Sequence, residues 1–164
     1  MKKPLISTLV TGVLLVAAAD AFACGETLFR TGQGMRYNSY AAPRPATVLI
    51  YSDATSATAK NERELRQGLE KAGHRVTVVS NAEGWSTATG ARPFDVVIAD
   101  LAEIDALTES MASASAKPDF LPVVTRSDGT ERELRARFAW CVREGAGVGQ
   151  YLKAINKVME ARVK

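Results

Sequence analysis

"FDVVIAD", residues 94–100, is a short apolar run that closes on an acid. A strand covered by helices on both faces of a parallel sheet reads this way, because it has no solvent-facing side to carry polar residues. An aspartate at the carboxyl end of such a strand stands where open α/β sheets receive their ligands. "TVLIYSD" (47–53) repeats the pattern, a β-branched apolar run ending in an acid. "RVTVVS" (75–80), "FLPVVTR" (120–126) and "AWCVR" (139–143) complete a set of five expected strands. Pro122 falls near the start of the fourth, where a missing backbone donor is tolerable.

Helical patterns fill the intervals. In "SATAKNERELRQGLEKAG" (56–73), Ser56 is a capping residue, Leu65, Leu69 and Ala72 recur at i, i+4 and i+7, and Gly73 is the stop. The stretch 81–93, "NAEGWSTATGARP", has weak periodicity and two glycines, which predicts only a short, poor helix. "EIDALTESMASASA" (103–116) and "GTERELRARF" (129–138) predict two more, and "GQYLKAINKVMEARVK" (149–164) a final one with Leu152, Ile155 and Met159 inward. Alternating strands and helices predict an α/β fold: a three-layer, doubly wound parallel sheet of five strands in the flavodoxin-like order 2-1-3-4-5. Strands one and three are neighbours in that order, which sets Asp53 and Asp100 side by side at the switch point.

The chain opens differently. "MKKPLISTLVTGVLLVAAADAFAC" has a positive start at Lys2 and Lys3, an apolar stretch from Leu5 to Ala19, and the small-x-small site Ala21-Phe22-Ala23. These are the parts of a secretory signal peptide over residues 1–23. Its apolar stretch falls short of the about 20 residues a bilayer span needs. The expected location is therefore the periplasm, with membrane attachment only if Cys24 is lipidated; Asp20, Ala21 and Phe22 fit a lipoprotein signal poorly. Residues 24–46 are too aromatic for a free linker, and Gly and Pro punctuate them, so they predict an extended arm packed on the domain at 47–164.

Two cysteines, Cys24 and Cys141, would occupy a compartment that permits disulfides. A bridge between them would close a long loop, with an entropic contribution on the order of 4–5 kcal/mol if unstrained. Cys141, between Trp140 and Val142, equally suits a small buried hydrophobe. Both readings stand on the residues. The net charge of +3 is spread among interspersed signs, so no nucleic-acid partner is expected. His74 follows a helix-ending glycine and has no second histidine at metal-ligand spacing, which predicts a solvated side chain and no metal. Gly145, Gly147 and Gly149 lead into the last helix, either as a hinge or as a backbone cradle for an anion.

Residues 46–164 resemble a response-regulator receiver domain through "VLIYSD", "GLEKAGHRVTVVSNAEG", "RPFDVVIAD", "LPVVTR" and the tail from strand five into the helix. The resemblance implies an acidic pair at Ser52-Asp53, the phosphorylated position at Asp100, a hydroxyl at Thr125 and a basic residue at Arg143. It also departs from the family. The acidic pair is reduced to Asp53, and Arg143 with Glu144 stands where receivers carry Lys-Pro. Mg²⁺ needs carboxylates, and a guanidinium does not replace an ammonium. The expectation is a non-enzymatic pseudo-receiver without cofactor, an interaction module for a periplasmic or envelope protein. Receivers use the face of the last two strands and last helix for partners, here Arg143 to Met159. Two alternatives are a phosphorylatable or metal-binding receiver using Asp100, and a small-anion binder at the 145–149 loop.

Overall fold

The computed structural model describes residues 41–112, 114, 116–128 and 131–163, all within one compact unit, Arg36–Lys164. Five strands, β1 (Thr47–Tyr51), β2 (Arg75–Val79), β3 (Val96–Asp100), β4 (Asp119–Val124) and β5 (Val142–Arg143), form one parallel sheet in the order β2-β1-β3-β4-β5. The helices are α1 (Glu62–Lys71), α2 (Ala82–Ala91), α3 (Leu101–Ser110), α4 (Glu131–Arg137) and α5 (Val148–Arg162), with a short 3₁₀ turn at Thr58–Asn61 leading into α1. The fold is flavodoxin-like α/β.

Strand periodicity sorts the core into two layers, because alternate residues point to opposite faces. Val48, Ile50, Val96 and Ile98 pack with Leu65 and Leu69 of α1 and Leu152 and Ile155 of α5. Leu49, Tyr51, Val97 and Ala99 pack with Trp85 of α2 and Ile104 and Leu107 of α3. β1 and β3 are thus buried on both sides, as their unbroken apolar runs require.

Gly73 ends α1 with a left-handed φ of +96°. Its N–H donates to the Glu70 carbonyl (3.0 Å) and that of His74 to the Leu69 carbonyl (3.1 Å), the paired bonds of a Schellman terminus. Gly68 has another role. A Cβ there would lie 2.4 Å from Val148 Cγ1, so glycine sets how closely α1 and α5 approach.

Three elements differ from expectation. α2 is a regular ten-residue helix despite its glycines. Asn81 caps it by accepting the Gly84 N–H at 2.7 Å, and Trp85 anchors it, edge-on to Tyr51 with its indole N–H on Ser110 Oγ at 2.9 Å. α3 starts directly after Asp100 and stops at Ser110, whose hydroxyl turns back to the Leu107 carbonyl. β5, expected over 139–143, has two residues, paired with Val123 and Val124. The Asp119 N–H bonds the Asp95 carbonyl, so alternate residues Phe120, Pro122 and Val124 face the outer edge. Pro122 offers no donor there, and the β4–β5 ladder begins just beyond it.

His74 also departs from expectation: it is buried, and its Nδ1 accepts the Ala46 N–H at 3.1 Å. The Ala42 N–H bonds the Ala72 carbonyl (2.8 Å), so the end of the arm is pinned to the α1–β2 turn. Residues 1–40, including the expected signal segment, most of the expected arm and Cys24, lie outside the described residues.

Candidate functional site

The carboxyl ends of β1 and β3 meet at the switch point, where sheet order reverses and a crevice is expected. Asp100 ends β3 there. Its Oδ2 accepts the Ala57 N–H (2.6 Å), and its Oδ1 accepts the Thr58 N–H (3.1 Å) and hydroxyl (2.5 Å). Thr58 is buried, so the carboxylate pulls the β1–α1 segment down over the strand ends. The donors belong to the leading edge of the 3₁₀ turn, where backbone N–H groups have no partner within the helix. Asp100 supplies the missing acceptor from another strand. Ser56 adds a local cap, its Oγ accepting the Ala59 N–H at 3.0 Å.

Asp53 turns away from Asp100 in function. Its Oδ1 accepts both the N–H (2.9 Å) and the hydroxyl (2.8 Å) of Thr55, closing its own turn at the surface. Those hydrogen bonds favour the ionised form and hold the carboxyl below its ordinary pKa. Just before Asp53, the Ser52 N–H bonds the Val79 carbonyl at 2.8 Å, on the β2 side of β1. The Ser52 hydroxyl is buried and has no hydrogen-bond partner among the described residues.

Two further groups feel the Asp100 charge. Lys60 Nζ reaches Glu144 Oε1 at 2.6 Å, linking the 3₁₀ turn to the segment after β5. The Glu144 hydrogen bond first, and Asp100 to a lesser degree, favour the charged ammonium and raise its pKa. Tyr151, buried on α5, has its phenol pushed up to about 12 by burial and by the Asp100 charge. Lys60 and Tyr151 were not singled out from sequence. Neither carries a local signal, because each gains its meaning from a strand end far away in the chain.

Thr125 and Arg143 belong elsewhere. The Thr125 N–H donates to Asp128 Oδ2 (2.6 Å) and its hydroxyl pairs with Ser127 (2.8 Å), which makes a compact turn after β4. Arg143, exposed on β5, lines an open groove of about 630 Å³ with Thr125, Arg126, Ser127, Glu144 and Gly145. Asp100 is not part of that lining. The four candidate residues Asp53, Asp100, Thr125 and Arg143 are therefore three separate arrangements: a turn, a plug and a groove. Of Gly145, Gly147 and Gly149, only Gly145 has a left-handed φ, +74°. Gly147 is the N-cap of α5, and a Cβ at Gly147 or Gly149 would meet nothing within 4 Å.

A second groove, about 480 Å³, runs along the β5 edge between Leu134, Phe138, Trp140, Cys141 and Gln150. Trp140 is 40% exposed, and Cys141 is half-buried. Among the described residues, no three His, Cys, Asp or Glu side chains gather as a metal-binding group. Nor is any described helix long and apolar enough to cross a membrane.

Fold and strand-end geometry together define a flavodoxin-like α/β protein. The chain matches no family model and no curated relative. One solved chain, described as the yeast Spc42 trimeric coiled coil (amino acids 181–211) fused to another structure, is similar with a TM-score of 0.55 and 17% identity, covering 74% of this chain and 83% of that one. The likeness is one of fold alone.

Proposed function

We propose that this protein is an exported, non-enzymatic pseudo-receiver that docks a periplasmic or envelope protein on its β5 edge. What carries this reading is the hydrogen bonding of Asp100. A carboxylate that accepts two backbone N–H groups and a hydroxyl has its oxygens committed to holding the β1–α1 segment. Acting as a phosphoacceptor would require breaking these bonds and exposing the donors. The β5 edge supports the docking half: an exposed tryptophan beside an apolar groove is the kind of anchor that interfaces bury.

Placing a photo-crosslinking amino acid at Trp140, and separately at Arg63 on α1, tests the docking surface in periplasm. A discrete adduct from position 140 that is absent at 63 supports it; equal yields or none reject it. Incubating the chain with Mg²⁺ and a small acyl-phosphate tests the other half. An intact-mass gain abolished by Asp100→Asn would overturn the pseudo-receiver reading.

A further inference from the structure

The groove between the ends of β4 and β5 has an unbalanced charge. Four charged groups lie in or beside it: Arg126, Asp128, Arg143 and Glu144. Both acids are engaged. Glu144 holds Lys60 at 2.6 Å, and Asp128 holds the Thr125 N–H at 2.6 Å. Neither exposed arginine has an ion pair or hydrogen bond among the described residues. Two unpaired guanidinium groups therefore line one concave surface, and with Lys60 they outnumber the carboxylates of Asp128 and Glu144, beside two hydroxyls, Thr125 and Ser127, that bond each other. That mutual bond uses one proton, so the pair still has one hydroxyl hydrogen to donate. α5 begins three residues after Gly145 with no side-chain cap, and its N-terminus adds positive potential at this end of the sheet.

We propose that this groove is a binding site for a small oxyanion, a phosphate or carboxylate group gripped by Arg126 and Arg143. The inference goes beyond partner docking and does not depend on it. Guanidinium forks match the paired oxygens of such anions, and their charge-assisted bonds are the stronger kind. Ligands of open α/β sheets enter at the carboxyl ends of strands. With Asp100 bonded to the segment over the β1–β3 strand ends, the β4–β5 groove is an open concavity at that end that carries two unpaired cations. Lys60 takes part at a distance: by neutralising Glu144 it keeps a competing carboxylate out of the site.

The test is an amide-resonance titration of the full chain with inorganic phosphate and, separately, succinate at near-physiological ionic strength. Saturable shifts confined to residues 124–127 and 143–145, with a Kd around the millimolar range, are expected for at least one anion. The anion that binds assigns the source. Arg126→Gln and Arg143→Gln should each weaken binding about tenfold while leaving the rest of the spectrum in place, which reports that the fold survives. Lys60→Ala should weaken it too, and adding Glu144→Gln should restore it. That reversal is expected only if the Lys60–Glu144 pair governs the charge of the groove. Absence of saturable shifts with both anions, or shifts unchanged in the double arginine variant, would overturn the proposal.

Discussion

The switch point and the β4–β5 groove stand at the same end of one sheet, yet they treat charge in opposite ways. At the switch point the acid is consumed: Asp100 binds the segment that covers it, and Lys60 and Tyr151 sit within its field. At the groove Lys60 pairs with Glu144 and Asp128 binds a backbone N–H, while the two guanidinium groups have no partner of their own among the described residues. The contrast separates a charge that holds structure from one that is free to meet a ligand. Residue type does not make that distinction; the presence or absence of an internal partner does.

Asp100→Ala should have the largest effect. It removes three hydrogen bonds and leaves the Ala57 and Thr58 donors unmatched, one of them on a buried residue. A loss of about 2–4 kcal/mol in urea unfolding is expected. A loss under about 0.5 kcal/mol would mean that the carboxylate is not structural. Gly68→Ala comes next, because α1 and α5 flank the plug. Alanine gains up to about 1 kcal/mol of helix propensity, but overpacking against Val148 costs about 1–3 kcal/mol. Clash wins at 2.4 Å against a stiff β-branched side chain, so the variant should be destabilised. Val148→Ala in the same chain should recover much of the difference.

A smaller effect is tied to His74, on the opposite end of β2 from the plug. Burial lowers its pKa below the ordinary value, and its Nδ1 serves as an acceptor only when it carries no proton. The folded chain thus holds fewer protons than the unfolded one at mildly acidic pH. The stabilisation is complete above about pH 6.5 and is lost as pH falls below it toward the folded pKa. One proton limits the slope to about 1.4 kcal/mol per pH unit. His74→Asn, which keeps an acceptor without titrating there, should flatten the curve between pH 7.5 and 5.5. Lys60→Ala is the smallest: a solvent-exposed pair of this kind should leave the unfolding midpoint unmoved, so that its influence shows only in anion binding at the groove.

Much of the architecture was legible in residue order. The double burial of "VLIY" and "VVIA", the helix stop at Gly73 and the strand–helix alternation lead to a parallel sheet in the order 2-1-3-4-5. α2 was under-read because its stability comes from one cap and one anchored tryptophan, and weak periodicity hides both. β5 was over-read because Pro122, on a different strand, decides where its ladder can begin. The candidate residues were found as positions, but their roles were not. Asp100 was legible as the acid at a strand end, while its three donors lie more than forty residues away.

By itself, the sequence determined the layers, because alternation along a strand and spacing along a helix are local properties that burial acts on directly. It also determined that an acid would end β3. Tertiary structure alone decided what that acid does. A carboxylate's role follows from the donors within about 3 Å of it, and those are supplied by chain folding back from β1. The same holds for the groove, whose charge depends on Lys60 reaching across the sheet to Glu144.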